Sequence, residues 1–228
     1  AIREAVGAEV EIMVDFHGRC GSASVALQYV EALAPFRPLF VEELLQPGET
    51  LGLAAIKART SVPIAAGERL VDRREFDELL RARAVDIAQP DLCHVGGFGE
   101  ARKIAAMAEV ANCGIAPHNP LGPIAGVAAL HFDVSVHNFG IQEYMRHTAE
   151  ADRVFPHAYS FADGALHPGN VPGLGVRGVV DGHKVLVGRE RLLTERDMEL
   201  PEELRQAREG AEAAIKPLRE EEQVASAV

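Results

Sequence analysis

The chain has 228 residues, of which 47% are hydrophobic and 25% charged, with a formal net charge of -11. That is enough apolar material for a sizeable core, no apolar run is long enough to cross a bilayer, and the acidic balance argues against nucleic acid, whose phosphates need clustered Lys and Arg. Cys20, Cys93 and Cys113 are odd in number and show neither a disulfide framework nor zinc-type spacing, so a reducing cytoplasmic setting is expected, with no membrane partner.

Residues 1–6 read as the end of a helix closing near Gly7, and residues 1–10 lack the pattern of a signal peptide. From there one unit repeats. A short apolar, β-branched run ends in an ionisable residue, a loop with Gly or Pro follows, and a segment of helical periodicity comes next. The runs are 10–15, 38–43, 63–68, 85–91, 114–118 and 139–143. The helical segments between them are 22–34, 51–58, 73–81, 99–112 and 124–134. Strands alternating with helices of this length imply a parallel sheet covered by helices.

Asp15, Glu42, Glu68, Asp91, His118 and Glu143 close the successive runs, at separations of 27, 26, 23, 27 and 25 residues. Each βα unit thus delivers one ionisable group to the same sheet edge. A doubly wound sheet gathers ligands at one switch point, whereas a (β/α)8 TIM-type barrel collects the ends of all its strands around one site. The even supply favours the barrel. Six units are present where eight close a barrel, so the expectation is a partial barrel of strands three to eight. Polar residues are common where strands meet solvent, but six in register are improbable by that route alone.

Residues 150–180 are rich in Gly, Pro and His and read as a long ordered loop. Residues 179–187 suggest a hairpin around Asp181 and Gly182, and the last forty residues a charged, partly helical tail. The expected division is a partial catalytic barrel over 1–176 and a divergent hairpin and tail over 177–228.

Three convergent carboxylates, Asp15, Glu42 and Glu68, cannot all stay ionised without a cation. A hard ion such as Mg²⁺ takes oxygen ligands and could stabilise an enediolate made from a carboxylate substrate. Glu42 is preferred to Glu43 because strand alternation lets only one of the two point inward. Asp91 lies one strand from His118 and would raise its basicity, making His118 a candidate base. His17 projects to the same side as Asp15, and an imidazole on each side of a metal-bound substrate suits proton abstraction followed by acid-assisted loss of hydroxide. No chemistry is assigned to His94, His131, His137, His147, His157, His167 or His183.

The strings VDFHGR (14–19), RPLFVEE (37–43), PIAAGER (63–69), QPDLCHVGG (89–97), APHNPLGPIA (116–125), IQE (141–143) and PGLGV (172–176) together resemble the mandelate racemase-like branch of the enolase superfamily, near the galactonate dehydratase group. The resemblance implies Mg²⁺ bound by Asp15, Glu42 and Glu68. It implies abstraction of the α-proton of an aldonic acid by His118 with Asp91, and protonation of the departing 3-hydroxyl by His17. Glu143 would stabilise the enediolate, and the product would be a 2-keto-3-deoxy acid. It also implies a homo-oligomeric full-length parent with an N-terminal capping domain and two earlier strands, neither of which this chain contains. Leu44 stands where relatives carry Pro after the paired glutamates, and the segment beyond Val176 departs from the pattern. The alternatives are an acid-sugar racemase or epimerase, and a non-catalytic remnant of a barrel.

Overall fold

A computed structural model describes residues 1–171, 173–180 and 183–186, with 177–180 and 183–186 described by backbone alone. The charged tail expected beyond residue 187 lies outside the described residues. The architecture below is that of the unit Ala1–Val185, with the strand that closes it at Leu186.

A short helix α1 (Ile2–Val6) ends at Gly7, whose φ of 76° suits a residue without Cβ. Five parallel strands follow, β1 (Met13–Asp15), β2 (Phe40–Glu42), β3 (Ile64–Ala66), β4 (Ile87–Ala88) and β5 (Gly114–Ile115), hydrogen-bonded in chain order. A parallel bridge from Ile115 to Phe139 adds the sixth stave. Between them run α2 (Ala23–Leu33), α3 (Thr50–Lys57), α4 (Arg73–Arg81), α5 (Phe98–Val110) and α6 (Pro123–Asp133). The result is an arc of a TIM-type barrel, as the alternation of periods predicted.

Local chemistry starts the helices where the sequence signals them. The Ser22 hydroxyl accepts from the Val25 N–H, and Asp72 and Glu75 form a reciprocal capping box on α4. Pro123 opens α6, where a missing N–H costs nothing. Three of the helices bury a single stripe: Ala26, Leu27 and Val30 on α2, Phe76, Leu79 and Leu80 on α4, Ile104 and Ala108 on α5. These meet Val41, Ile64 and Ile115 of the strands in one core, where each large side chain contributes roughly 1.5–3 kcal/mol.

β1 and β2 end on Asp15 and Glu42, but β3, β4 and β5 stop short of their ionisable residues. Gly67, at φ 139°, turns the chain out of β3, and Pro90 and Pro117 supply no N–H to a ladder beyond β4 and β5. Glu68, Asp91 and His118 therefore sit on the loops just past the strands, on the side where a barrel binds its ligands.

The stretch expected to be one long loop carries structure of its own. Helix α7 (Ala149–Val154) is capped by the Thr148 hydroxyl. Strands β6 (Ser160–Ala162) and β7 (Ala165–His167) pair antiparallel across Asp163 and Gly164, both at positive φ, the geometry that an Asp-Gly pair favours. Strands β8 (Arg177–Val180) and β9 (His183–Leu186) form a second two-stranded sheet. Among the described residues no helix is long and apolar enough to cross a membrane, and all three cysteines are free thiols.

Candidate active site

The parallel register makes Asp15 and Glu42 direct cross-strand partners, so they project to the same side of the sheet. Glu42 is partly buried. Burial, with the fields of Asp15, Glu68 and Glu143, pushes its carboxyl up to about 7, although the Gln89 amide pulls the other way. Glu43 turns aside at φ 44°. Its buried carboxylate accepts from the Gly67 N–H at 2.9 Å and lies 3.9 Å from Arg69 Nε.

Glu68 is placed between two imidazoles. Its Oε1 is 3.6 Å from His17 Nδ1, and its Oε2 is 3.6 Å from His118 Nε2. His17 Nδ1 is also 3.3 Å from Asp15 Oδ2, while Asp15 Oδ1 accepts from the His17 backbone N–H at 2.6 Å. The structure thus brings His17 and His118 to opposite oxygens of one carboxylate.

His118 Nδ1 lies 2.8 Å from Asp91 Oδ2. Burial works against a charge on Asp91, but the His118 hydrogen bond and the Cys93 N–H outweigh it and hold the carboxyl below its ordinary range. Burial likewise disfavours the imidazolium, yet the Asp91 bond and the fields of Glu143 and Glu68 raise His118. Asp91 is ionised, so Nδ1–H donates to it and Nε2 is the nitrogen left to take a proton. Glu143 reaches the same region, with Oε2 accepting from the Asn119 backbone N–H at 2.7 Å.

Among the described residues no three His, Cys, Asp or Glu side chains converge as a ready-made metal chelate. Asp15 faces His17, and Glu68 is held at 3.2 Å by Arg69 Nε. The donor chemistry nonetheless suits a hard divalent ion, because Asp15, Glu42 and Glu68 offer hard oxygen ligands from adjacent staves, and Glu42, lifted mainly by burial, also lies in the negative field of the other two.

Several neighbours were not singled out in the sequence. His94 donates Nδ1–H to the Glu68 carbonyl at 2.9 Å and lies 3.8 Å from Asp91 Oδ2, next to His118. Arg69 and Gln46 reach the carbonyls of His17 and Gly18. Arg69 follows a strand-end carboxylate directly, a usable signal. Gln46 and His94 depend on how their loops turn. Leu44, at the position where Pro was expected, is fully buried in the core.

Residues 1–179 match the family described as enolase C-terminal domain-like. The chain is 41% identical over 178 residues to a D-mannonate dehydratase of Caulobacter sp. (strain K31), covering 77% of this chain and 44% of that protein. It is 41% identical over 208 residues to a D-galactonate dehydratase of Ralstonia pickettii (strain 12J), covering 88% and 52%. Among solved structures, an enolase from Pantoea ananatis with bound D-gluconate and Mg superposes with TM-score 0.72 at 32% identity, over 77% of this chain and 42% of that one. A mandelate racemase/muconate lactonizing enzyme from Sulfitobacter sp. superposes with TM-score 0.74 at 34% identity, over 83% and 50%. The chain spans about half the length of the curated relatives it matches. With the strand-end carboxylates, the paired imidazoles and this match in hand, the chain belongs to the enolase superfamily, on its mandelate racemase-like branch.

Proposed function

We propose that this site dehydrates an aldonic acid, of the galactonate, mannonate or gluconate type, to a 2-keto-3-deoxy acid. The observation that carries the reading is the Glu68 carboxylate set between His17 and His118, with His118 backed by Asp91. Relatives named D-mannonate and D-galactonate dehydratase, and a neighbour holding D-gluconate and Mg, support the substrate class.

Asp15, Glu42 and Glu68 would hold Mg²⁺, which when bound supplies Lewis-acid stabilisation of charge on the substrate carboxylate. His118 Nε2 takes the proton from the carbon next to that carboxylate, and Asp91 stabilises the imidazolium that forms. Glu143 would stabilise the enediolate by a hydrogen bond made directly or through a neighbouring donor. His17 protonates the 3-hydroxyl as the C–O bond breaks, and the enol released tautomerises to the keto acid.

The test is incubation of the purified chain with Mg²⁺ and D-galactonate, D-mannonate or D-gluconate, followed by NMR. Keto-acid release from at least one is expected. Inversion at the α-carbon without elimination would replace the reading by epimerisation. No turnover with no Mg²⁺ binding would leave a non-catalytic barrel arc.

A further inference from the structure

We propose that Arg69 is a positioning residue for His17: its guanidinium, with Gln46, clamps the turn that aims the His17 imidazole between Asp15 and Glu68. The proposal rests on the function proposed above, because it is there that His17 acts as the acid.

His17 and Gly18 are both in the left-handed region, at φ 53° and 66°. Gly18 adopts it freely, but a histidine there needs its surroundings to hold it. The turn presents two successive carbonyls to the loops after β2 and β3. Arg69 Nη2 donates to the His17 carbonyl at 2.8 Å, and Gln46 Nε2 donates to the Gly18 carbonyl at 2.6 Å. Arg69 Nη1 donates to Gln46 Oε1 at 3.4 Å, so the two clamps brace each other. Arg69 Nε donates to Glu68 Oε1, the oxygen that faces His17 Nδ1. One planar fork therefore fixes both the backbone of the acid and the carboxylate it faces, which a single ammonium could not do. The fit is close: a Cβ on Gly18 would lie 2.6 Å from Arg69 Nη1 and 2.8 Å from Gln46 Nε2. The guanidinium is mostly covered, with 26% of the side chain exposed.

The amides of Phe16, Gly18 and Cys20 are hydrogen-bonded to carbonyls of Glu42, Glu43 and Leu44, so their hydrogen exchange reports the turn without any turnover. Exchange and steady-state kinetics are to be measured on the full chain for the parent, R69A, R69K and Q46A, with R73A as control, since Arg73 pairs with Glu100 away from the site. In R69A these amides should exchange about tenfold faster or more while those of β3 to β5 do not change. In the same variant kcat should fall on the order of 10²-fold with KM little moved. R69K should not restore either property, and R73A should match the parent. Should R69A fail to fold, Q46A, which removes the Gly18 clamp, should speed the same amides. Unchanged exchange at residues 16–20 in the folded variants would overturn the proposal, as would full restoration by lysine, which would make charge alone sufficient. A parent that shows the protected turn, loses it in R69A and yet releases no keto acid would count against dehydration while upholding the clamp.

Discussion

Asp91 and His118, 27 residues apart in sequence, meet at 2.8 Å from the ends of neighbouring staves, with Asp91 only 1% exposed. A buried carboxylate facing one imidazole nitrogen fixes the tautomer and leaves the other nitrogen as the base. Asp91→Asn keeps the shape and removes the charge. It should lower kcat by roughly 10²–10⁴-fold, the contribution of a well-placed base, with a smaller effect on KM. Steady-state kinetics check this, and a loss under threefold would detach Asp91 from the chemistry.

Glu68 is the carboxylate that faces both imidazoles and belongs to the suggested metal ligands. Glu68→Gln should weaken Mg²⁺ binding about tenfold or more, measured by titration calorimetry, because an amide oxygen is a poorer ligand for a hard cation. Unchanged affinity would mean that the ligand set is wrong.

The arc of strands and the placement of ionisable residues along its edge were legible because both rest on period and spacing. Six runs at 23 to 27 residues put Asp15, Glu42, Glu68, Asp91, His118 and Glu143 at one edge, and the five strands and the Phe139 bridge follow those runs. The loops were less legible. His94 reaches Asp91 because the chain after Asp91 folds back, with the N–H groups of His94 and Val95 both donating to the Asp91 carbonyl, and no periodicity encodes that turn. Arg69 and Gln46 find their partners only because His17 and Gly18 take left-handed backbone. The β6–β7 hairpin had a readable signal in Asp163-Gly164, hidden in a segment whose Gly and Pro content suggested loop.

Asp133 offers a test of stability rather than catalysis. It is 4% exposed, neither carboxyl oxygen has a hydrogen-bond partner among the described residues, and it borders a cavity of about 330 Å³ lined by Leu130, Phe139, Tyr144 and Phe161. Burial pushes its carboxyl up to about 8 from an ordinary 3.8. The folded state thus keeps a proton that the unfolded chain releases, so this group's contribution is fully present below about pH 4 and is lost as pH rises toward 8. Asp133→Asn removes the titration. The variant should match the parent near pH 4 and exceed it by a few kcal/mol near pH 8, read from denaturant unfolding at both values. Parallel pH profiles for the two proteins would show that Asp133 is ionised in the folded chain.

The central assignment is His118 as the base that removes the α-proton. The direct measurement is deuterium wash-in at the α-carbon of a substrate aldonic acid in D₂O, followed by proton NMR with Mg²⁺, for the parent and for His118→Asn. The parent should form keto acid or incorporate deuterium, and His118→Asn should do neither while its fold and Mg²⁺ affinity persist. Deuterium incorporation by His118→Asn at the parent's rate would contradict the account.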